Sequence, residues 1–198
     1  MMERNARPMG WLLRQWQYAG FLTGILLLLL LPLWAFETGI VLALVYLQLP
    51  LYMLHQLEEH AGDRFRRFVN DGMAGGRDAL TPMATLVINV VGVWLVDLIS
   101  LYLAFFVSPG FGLIAVYLAV VNAVVHLVAA IILRAYNPGL WTAILLFLPL
   151  GACSLYVLTS AGAGLGEHVL GLIVAVAIHV MILAYVRRRV SRMQARPT

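Results

Sequence analysis

Six long apolar segments occupy most of this 198-residue chain. Each is close to the ~20 residues that a helix needs to cross the hydrocarbon core of a bilayer. The segments lie at 17–36, 39–59, 80–107, 111–133, 140–160 and 165–186. Only 11% of the residues are charged and 63% are hydrophobic, whereas a soluble domain is about a quarter charged and about half apolar. Because lipid-exposed backbone amides must be hydrogen-bonded within their own segment, we predict an all-α fold. We predict that residues 1–198 form a single transmembrane domain, a bundle of six transmembrane helices.

All 13 basic residues are arginines, and they cluster at one end of the predicted bundle. They are Arg4, Arg7, Arg14, Arg64, Arg66, Arg67, Arg77, Arg134, Arg187, Arg188, Arg189, Arg192 and Arg196. Arginine-rich loops stay in the cytoplasm, so we expect both termini to be cytoplasmic and the protein to lie in a bacterial inner membrane. This placement explains the basic charge without a nucleic-acid partner. The lack of lysine excludes Schiff-base chemistry, and the single cysteine, Cys153, excludes an internal disulfide.

Three histidines occupy one predicted layer of the bundle. His55, His126 and His179 each precede a cytoplasmic arginine by eight or nine residues, which is ~12–14 Å along a helix. Ionisable residues inside membrane segments are costly and mark functional sites. We therefore predict that these three imidazoles form a polar layer in the cytoplasmic half of the bilayer.

Helical phase adds two carboxylates and an amide to this layer. Glu58 and Glu59 lie about 60° and 40° to either side of His55 at ~100° per residue, so all three can face the bundle interior. Asn122 is four residues before His126 and shares its face. His60 falls about 140° from His55, and we predict that it points outward to lipid headgroups.

Three imidazoles with carboxylates form a donor set for a divalent transition metal, zinc in preference to iron. We predict His55, His126 and His179 as metal ligands, Glu59 as a fourth ligand or a catalytic carboxylate, and Glu58 as general base. Asn122 would orient an imidazole or the substrate. Two further amide and acid side chains, Asn89 and Asp97, have either helix-packing or functional roles. The Tyr-Asn-Pro-Gly segment at 136–139 is most simply a turn, and contact with the substrate is its alternative role.

These motifs resemble a known family of membrane proteins. The sequence His55-Gln56-Leu57-Glu58-Glu59 resembles the signature after which the HXXEE family is named. The segment from Asn122 to His126 is similar to that family's N-x-x-x-H motif. His179 matches the histidine of its H-x-x-x-N motif, but Leu183 stands at the asparagine position. The resemblance implies a polytopic membrane protein with enzyme-like polar motifs, and it supplies no settled reaction.

The sequence favours a membrane-embedded, metal-dependent enzyme, hydrolytic in type, that acts on a lipid-like or apolar substrate. The bilayer itself is the other expected partner. Three alternatives stay open: a non-haem iron oxygenase or desaturase, a small proton-coupled transporter, and a non-catalytic protein with a structural polar network. A transporter needs polar residues along a path through both leaflets, whereas those of this chain concentrate in one half.

Overall fold

A computed structural model describes residues 6–195, and these residues form helices and turns with no strand. The prediction of an all-α fold is therefore confirmed. The helices are α1 (Ala6–His60), α2 (Arg64–Ala74), α3 (Pro82–Asn89), α4 (Leu95–Phe106), α5 (Leu113–Leu133), α6 (Leu140–Thr142), α7 (Leu148–Ser160) and α8 (Leu165–Gln194). Of the arginines that cluster at one end of the predicted bundle, Arg4 and Arg196 lie outside the described residues, as does the side chain of Arg7.

Five helical stretches of the described chain are long and apolar enough to cross a membrane, and not the six that we predicted. They are Gly10–Ala74, Pro82–Phe106, Pro109–Leu133, Leu140–Ser160 and Leu165–Gln194. The last four correspond to the third to sixth predicted segments, whereas the first contains both 17–36 and 39–59. The count differs because residues 37 and 38, between those two segments, remain helical, and only Gly39, the first residue of the second segment, leaves the helical conformation. Several helices of this length and apolarity suggest an integral membrane protein.

Helix α1 consists of two arms that fold back on each other at Gly39. This glycine has φ 79°, a conformation that carries no penalty in a residue without Cβ. The Tyr46 hydroxyl donates a hydrogen bond to the Leu27 carbonyl at 2.8 Å, although a straight helix would separate these residues by ~28 Å. Trp16 likewise lies against His60, with ring centroids 5.0 Å apart. The arms are therefore antiparallel and in contact.

Helix α5 lies at the centre of the bundle, where small residues allow close approach. A Cβ added at Gly171 of α8 would lie 2.7 Å from the carbonyl oxygen of Leu113, and one at Gly151 of α7 would lie 2.4 Å from Val120. Small residues are how membrane helices approach each other closely. This packing fixes α5, which carries His126, against its neighbours.

Helix α2 is short and lies between α1 and α3. Its apolar side, with Phe65, Val69 and Ala74, packs on Leu80 and on Val186 of α8. Hydrogen bonds from Arg77 and Arg189 to backbone carbonyls tie the end of α8 to the segment after α2. Helix α2 therefore forms one wall at the arginine-rich end of the bundle.

Two π-helical turns interrupt the transmembrane helices, Val90–Trp94 between α3 and α4 and Ala143–Phe147 between α6 and α7. Pro149 accounts for the second, because proline has no backbone N–H and its ring clashes with the carbonyl four residues earlier. Such turns often mark functional sites. Each follows directly after a polar residue of the site described below, Asn89 or Thr142.

Candidate metal centre

Two histidines and one glutamate meet in the interior of the bundle. His55 and Glu59 lie one turn apart on the second arm of α1, and His126 comes from α5. The Nε2 atoms of His55 and His126 lie 3.6 and 3.7 Å from the Glu59 carboxylate oxygens, and candidate ligand atoms of the three residues all lie within 4.8 Å of one another. Their exposed fractions are 0%, 5% and 4%. The structure thus brings together three of the four predicted metal ligands.

A hydroxyl fixes the tautomer of His55. The Nδ1 atom of His55 lies 2.7 Å from Thr142 Oγ1, and the Thr142 hydroxyl lies 2.5 Å from a Glu58 oxygen but 3.3 Å from the Gly139 carbonyl. A hydroxyl has one proton, which goes to the closer, charged acceptor. Oγ1 therefore accepts from His55 Nδ1–H. In the neutral imidazole, Nε2 is left as a lone-pair donor that faces Glu59.

An asparagine fixes the tautomer of His126 in the same way. The Asn137 side-chain N–H donates to the His126 carbonyl at 2.9 Å, which orients the amide. Its Oδ1 then lies 2.6 Å from His126 Nδ1. Because an amide oxygen only accepts, Nδ1 carries the proton and Nε2 presents its lone pair to Glu59. Partners of this kind are what orient histidine ligands around metals.

The result is a group of three acceptors that face one another. Two imidazole lone pairs point at a carboxylate from distances too long for a hydrogen bond. A divalent cation between them would satisfy all three. The set of two histidines and one glutamate matches that of catalytic zinc sites and also the facial triad of non-haem iron enzymes. The donor set thus fits a metal that has open coordination positions.

The turn at 136–139 closes over both imidazoles. Gly139 has φ +101°, and a Cβ there would lie 2.7 Å from His126 Cε1 and 2.8 Å from His55 Cε1. Only a residue without a side chain can approach both rings so closely. The turn is therefore part of the site, a role that the sequence did not indicate.

Glu58 faces this turn and not the group of acceptors. Its carboxylate accepts hydrogen bonds from the Tyr136 hydroxyl (2.8 Å), from the backbone N–H of Trp141 (3.2 Å) and from both the N–H (2.7 Å) and the hydroxyl of Thr142. The N–H groups at the start of a helix have no intrahelical partner, and an anion there is favourable. Glu58 therefore caps α6, which occupies both of its oxygens. Burial, and then the bond to Glu58, raise the pKa of the Tyr136 phenol, which keeps it a donor.

His179 and Asn122 line a cavity beside the site but lie outside the group of acceptors. The His179 Nδ1 lies 2.8 Å from the Ala175 carbonyl of its own helix, α8, and the cavity is bounded by this helix on one side and by α5 on the other. Asn122 Oδ1 is buried with no hydrogen-bond partner among the described residues. His179 therefore does not join the group that His55, Glu59 and His126 form.

The predicted outward orientation of His60 is wrong. Its side chain is buried, with Nε2 3.1 Å from a Glu59 oxygen and its ring against Trp16. Helix α1 ends at this residue, which has φ −109°. The rotation of 100° per residue therefore no longer applies at His60, and the side chain turns inward.

Gln56, inside the HXXEE signature, was missed by the sequence analysis. It is fully buried, donates to Asn89 Oδ1 at 2.8 Å and accepts from Trp94 Nε1 at 2.6 Å. These bonds tie the second arm of α1 to the chain on both sides of the first π turn. Asn89 is thus a hydrogen-bonding residue between helices. Asp97 is buried, and neither carboxylate oxygen has a hydrogen-bond partner among the described residues.

The cavity beside the site has a volume of about 590 Å³. Glu59 and His126 form part of its wall, and most of the remainder is apolar, from α2, α3, α5 and α8. Ligand pockets have volumes of about 300–1,000 Å³ and few polar groups. An apolar molecule in this cavity would therefore lie beside the candidate ligands Glu59 and His126.

The family described as "Protein of unknown function with HXXEE motif" matches residues 46–154, more than half of the chain. The chain belongs to this family. The HXXEE-family match contains His55, Glu59, His126 and the whole 136–142 segment, whereas His179 lies beyond it. Comparison with curated proteins and with solved structures finds no match.

Proposed function

We propose that this HXXEE-family protein is a membrane-embedded, metal-dependent enzyme that hydrolyses a lipid-like substrate. His55, Glu59 and His126 would bind one divalent transition metal, zinc in preference to iron. One observation carries the proposal: Thr142 and Asn137 hold both imidazoles so that their Nε2 lone pairs converge on the Glu59 carboxylate. A purely structural network would instead place hydrogen-bond donors opposite both carboxylate oxygens, whereas only His60 Nε2 lies within hydrogen-bond distance of one of them, at 3.1 Å.

The proposed chemistry requires a metal-bound water beside the apolar cavity. Three protein ligands leave a coordination position for water, and binding to zinc lowers the pKa of water to ~7. Asn122 lies on the cavity wall with an unpartnered oxygen, where it can bind a polar group of the substrate. Because Glu58 caps α6, we assign proton acceptance to the Glu59 oxygen that does not bind the metal.

We also propose that both arms of α1 cross the bilayer, so that both termini lie in the cytoplasm of a bacterial cell. The arms contact each other as antiparallel helices, and every arginine lies towards one end of the predicted bundle. The metal centre would then lie in the cytoplasmic half of the membrane. A C-terminal fusion to alkaline phosphatase should be inactive and one to a fluorescent protein should be bright; the opposite pattern would reject this topology.

Elemental analysis of the protein, purified without chelator, tests the metal centre. We expect about one zinc per chain in the wild type and none in His126→Ala, because one of three ligands is lost. His168→Ala is the matched control, since His168 hydrogen-bonds Tyr117 and Thr159 away from the site. A wild type that contains no metal and takes up neither zinc nor iron would refute the proposal.

A non-haem iron oxygenase is the second candidate. Two histidines and one carboxylate are also the ligand set of such enzymes, and an apolar cavity suits hydroxylation or desaturation equally well. Iron at one atom per chain under anaerobic purification, in place of zinc, would favour this candidate.

A further inference from the structure

We propose that the substrate is an amphiphile with one hydrocarbon chain and an anionic head. This inference rests on the proposed function and names its substrate class. The chain would occupy the apolar cavity between α5 and α8, and the head would lie in a second, polar pocket that adjoins it.

The length of the cavity fits the chain of a lipid from one leaflet. Its lining extends from Leu118 to Ala129 on α5 and from Val176 to Val186 on α8, which is ~15–16 Å of helix. One leaflet contributes half of the ~30 Å hydrocarbon core. A chain that enters at the arginine-rich end would therefore reach the deep end of the cavity near the bilayer midplane.

The volume of the cavity limits the occupant to one chain. If a methylene group takes roughly the ~30 Å³ of a water molecule in the liquid, then about 590 Å³ holds on the order of twenty carbons. Two chains of leaflet length would need about twice that space. The cavity thus holds one chain, and the second chain of a diacyl lipid, the bulk of the membrane, would have to lie outside it.

The second pocket, of about 390 Å³, adjoins the first at two shared residues. His60 and Thr85 line both, and His60 is next to the candidate ligand Glu59. An amphiphile that spans the two pockets would therefore place its polar end at the metal-binding residues.

Charge in the second pocket favours an anionic head. Arg66 is paired with Asp63 and Asp78, whereas Arg14 also lines this pocket and makes no ion pair within the described part of the chain. A carboxylate or phosphate would provide its counter-charge.

Binding of a fluorescent polyene fatty acid tests the chain. The protein is placed in nanodiscs of diacylphosphatidylcholine, because detergents are themselves single-chain amphiphiles. Unlabelled fatty acids of increasing length then compete with the probe. At equal mole fraction of competitor in the nanodisc, chains up to the length that fills the cavity should compete and longer chains should lose competition, because a methylene gains little on moving from lipid into an apolar cavity and a chain that is too long does not fit.

A matched pair of variants on α5 locates the chain. Val121 lines the cavity five residues before His126, ~7.5 Å deeper. Val124 is 47% exposed and is not part of the lining. Val121→Phe should move this loss of competition to a shorter chain, and Val124→Phe should leave it unchanged. Equal profiles for wild type and both variants would overturn the proposal.

Two further experiments test the charge of the head and the type of hydrocarbon chain. Arg14→Gln should weaken a fatty acid at least several-fold and leave the fatty alcohol of equal length unchanged; equal loss for both would refute the anionic head. Isoprenoid acids are tested as competitors beside straight-chain acids. The series that competes up to the length of the cavity and not beyond it identifies the source of the chain. Failure of both series would reject a single-chain occupant.

The same titration, repeated after treatment with a chelator, separates this inference from the proposed function. Chain binding by a protein that never holds a metal would support the substrate class and refute the metalloenzyme. Stoichiometric zinc without competition by any chain would support the metal centre and overturn the substrate class.

Discussion

A single methyl group at Gly139 should abolish metal binding, and a second glycine provides the matched control. Gly139 and Gly162 both have φ +101°. A Cβ at Gly139 would lie 2.7 Å from His126 Cε1 and 2.8 Å from His55 Cε1, whereas a Cβ at Gly162 meets no described atom within 4 Å. Gly139→Ala and Gly162→Ala therefore both place an alanine at the same positive φ, and they differ in the contact with the two imidazoles.

The magnitude follows from these distances. Left-handed backbone costs an alanine about 1–2 kcal/mol, which both variants should lose from the free energy of unfolding. Carbon atoms prefer separations of about 3.5–4.0 Å, so each ring in Gly139→Ala must move by at least about 0.7 Å. Metal–ligand distances tolerate only about 0.2 Å. We expect zinc affinity to fall by more than the tenfold to hundredfold that loss of an orienting partner typically costs.

Competition with a chromogenic chelator measures the zinc affinity of both variants, and thermal unfolding in nanodiscs measures their stability. Gly162→Ala should bind zinc like the wild type at reduced stability. Equal zinc affinity in the two variants would show that the turn does not press on the ligands, and the geometry argued above would be wrong.

Three further variants probe the residues around the ligands. Thr142→Val removes the hydroxyl that orients His55 and should weaken zinc binding about tenfold to hundredfold. The control Thr159→Val loses hydrogen bonds remote from the site and should bind zinc like the wild type. Equal zinc affinities in the two variants would contradict the assigned tautomer of His55. Glu58→Gln turns an amide N–H towards backbone donors and should cost about 1–3 kcal/mol of stability by thermal unfolding while about one zinc is kept; loss of activity at unchanged stability would instead restore Glu58 as general base. His179→Ala should keep stoichiometric zinc by elemental analysis, and loss of the metal would return this histidine to the ligand set.

The sequence was sufficient to predict helices because long apolar segments without strand-like alternation permit little else in a bilayer. It separated the first two segments correctly but did not show how little of the chain makes the break. Glu37 and Thr38 are polar, but they remain helical, and the change of direction depends on Gly39 alone. Pro32 and Pro50 lie inside the arms without ending them. Local composition thus predicted a loop where the chain needed only one residue of positive φ.

For the site, the sequence predicted what depends on one helix and missed what depends on packing between helices. His55 and Glu59 follow from their spacing of four residues, and His126 follows from its depth. Depth along a helix carries no information about lateral position, which explains why His179 lies across the cavity. The partners of Gln56 come from a different helix and have no local sequence signal.

The 136–142 segment orients the candidate metal ligands although its sequence is most simply that of a turn. Asn137 orients His126, Thr142 orients His55, and Gly139 limits the approach of both rings. Glu58, from the same helix as His55, caps the helix that this segment begins. Since α5 ends and α6 begins here, a shift of either helix relative to α1 would move both imidazoles together. The second glutamate of the HXXEE signature therefore supplies the candidate ligand, and the first fastens the turn that aims the two histidines at it.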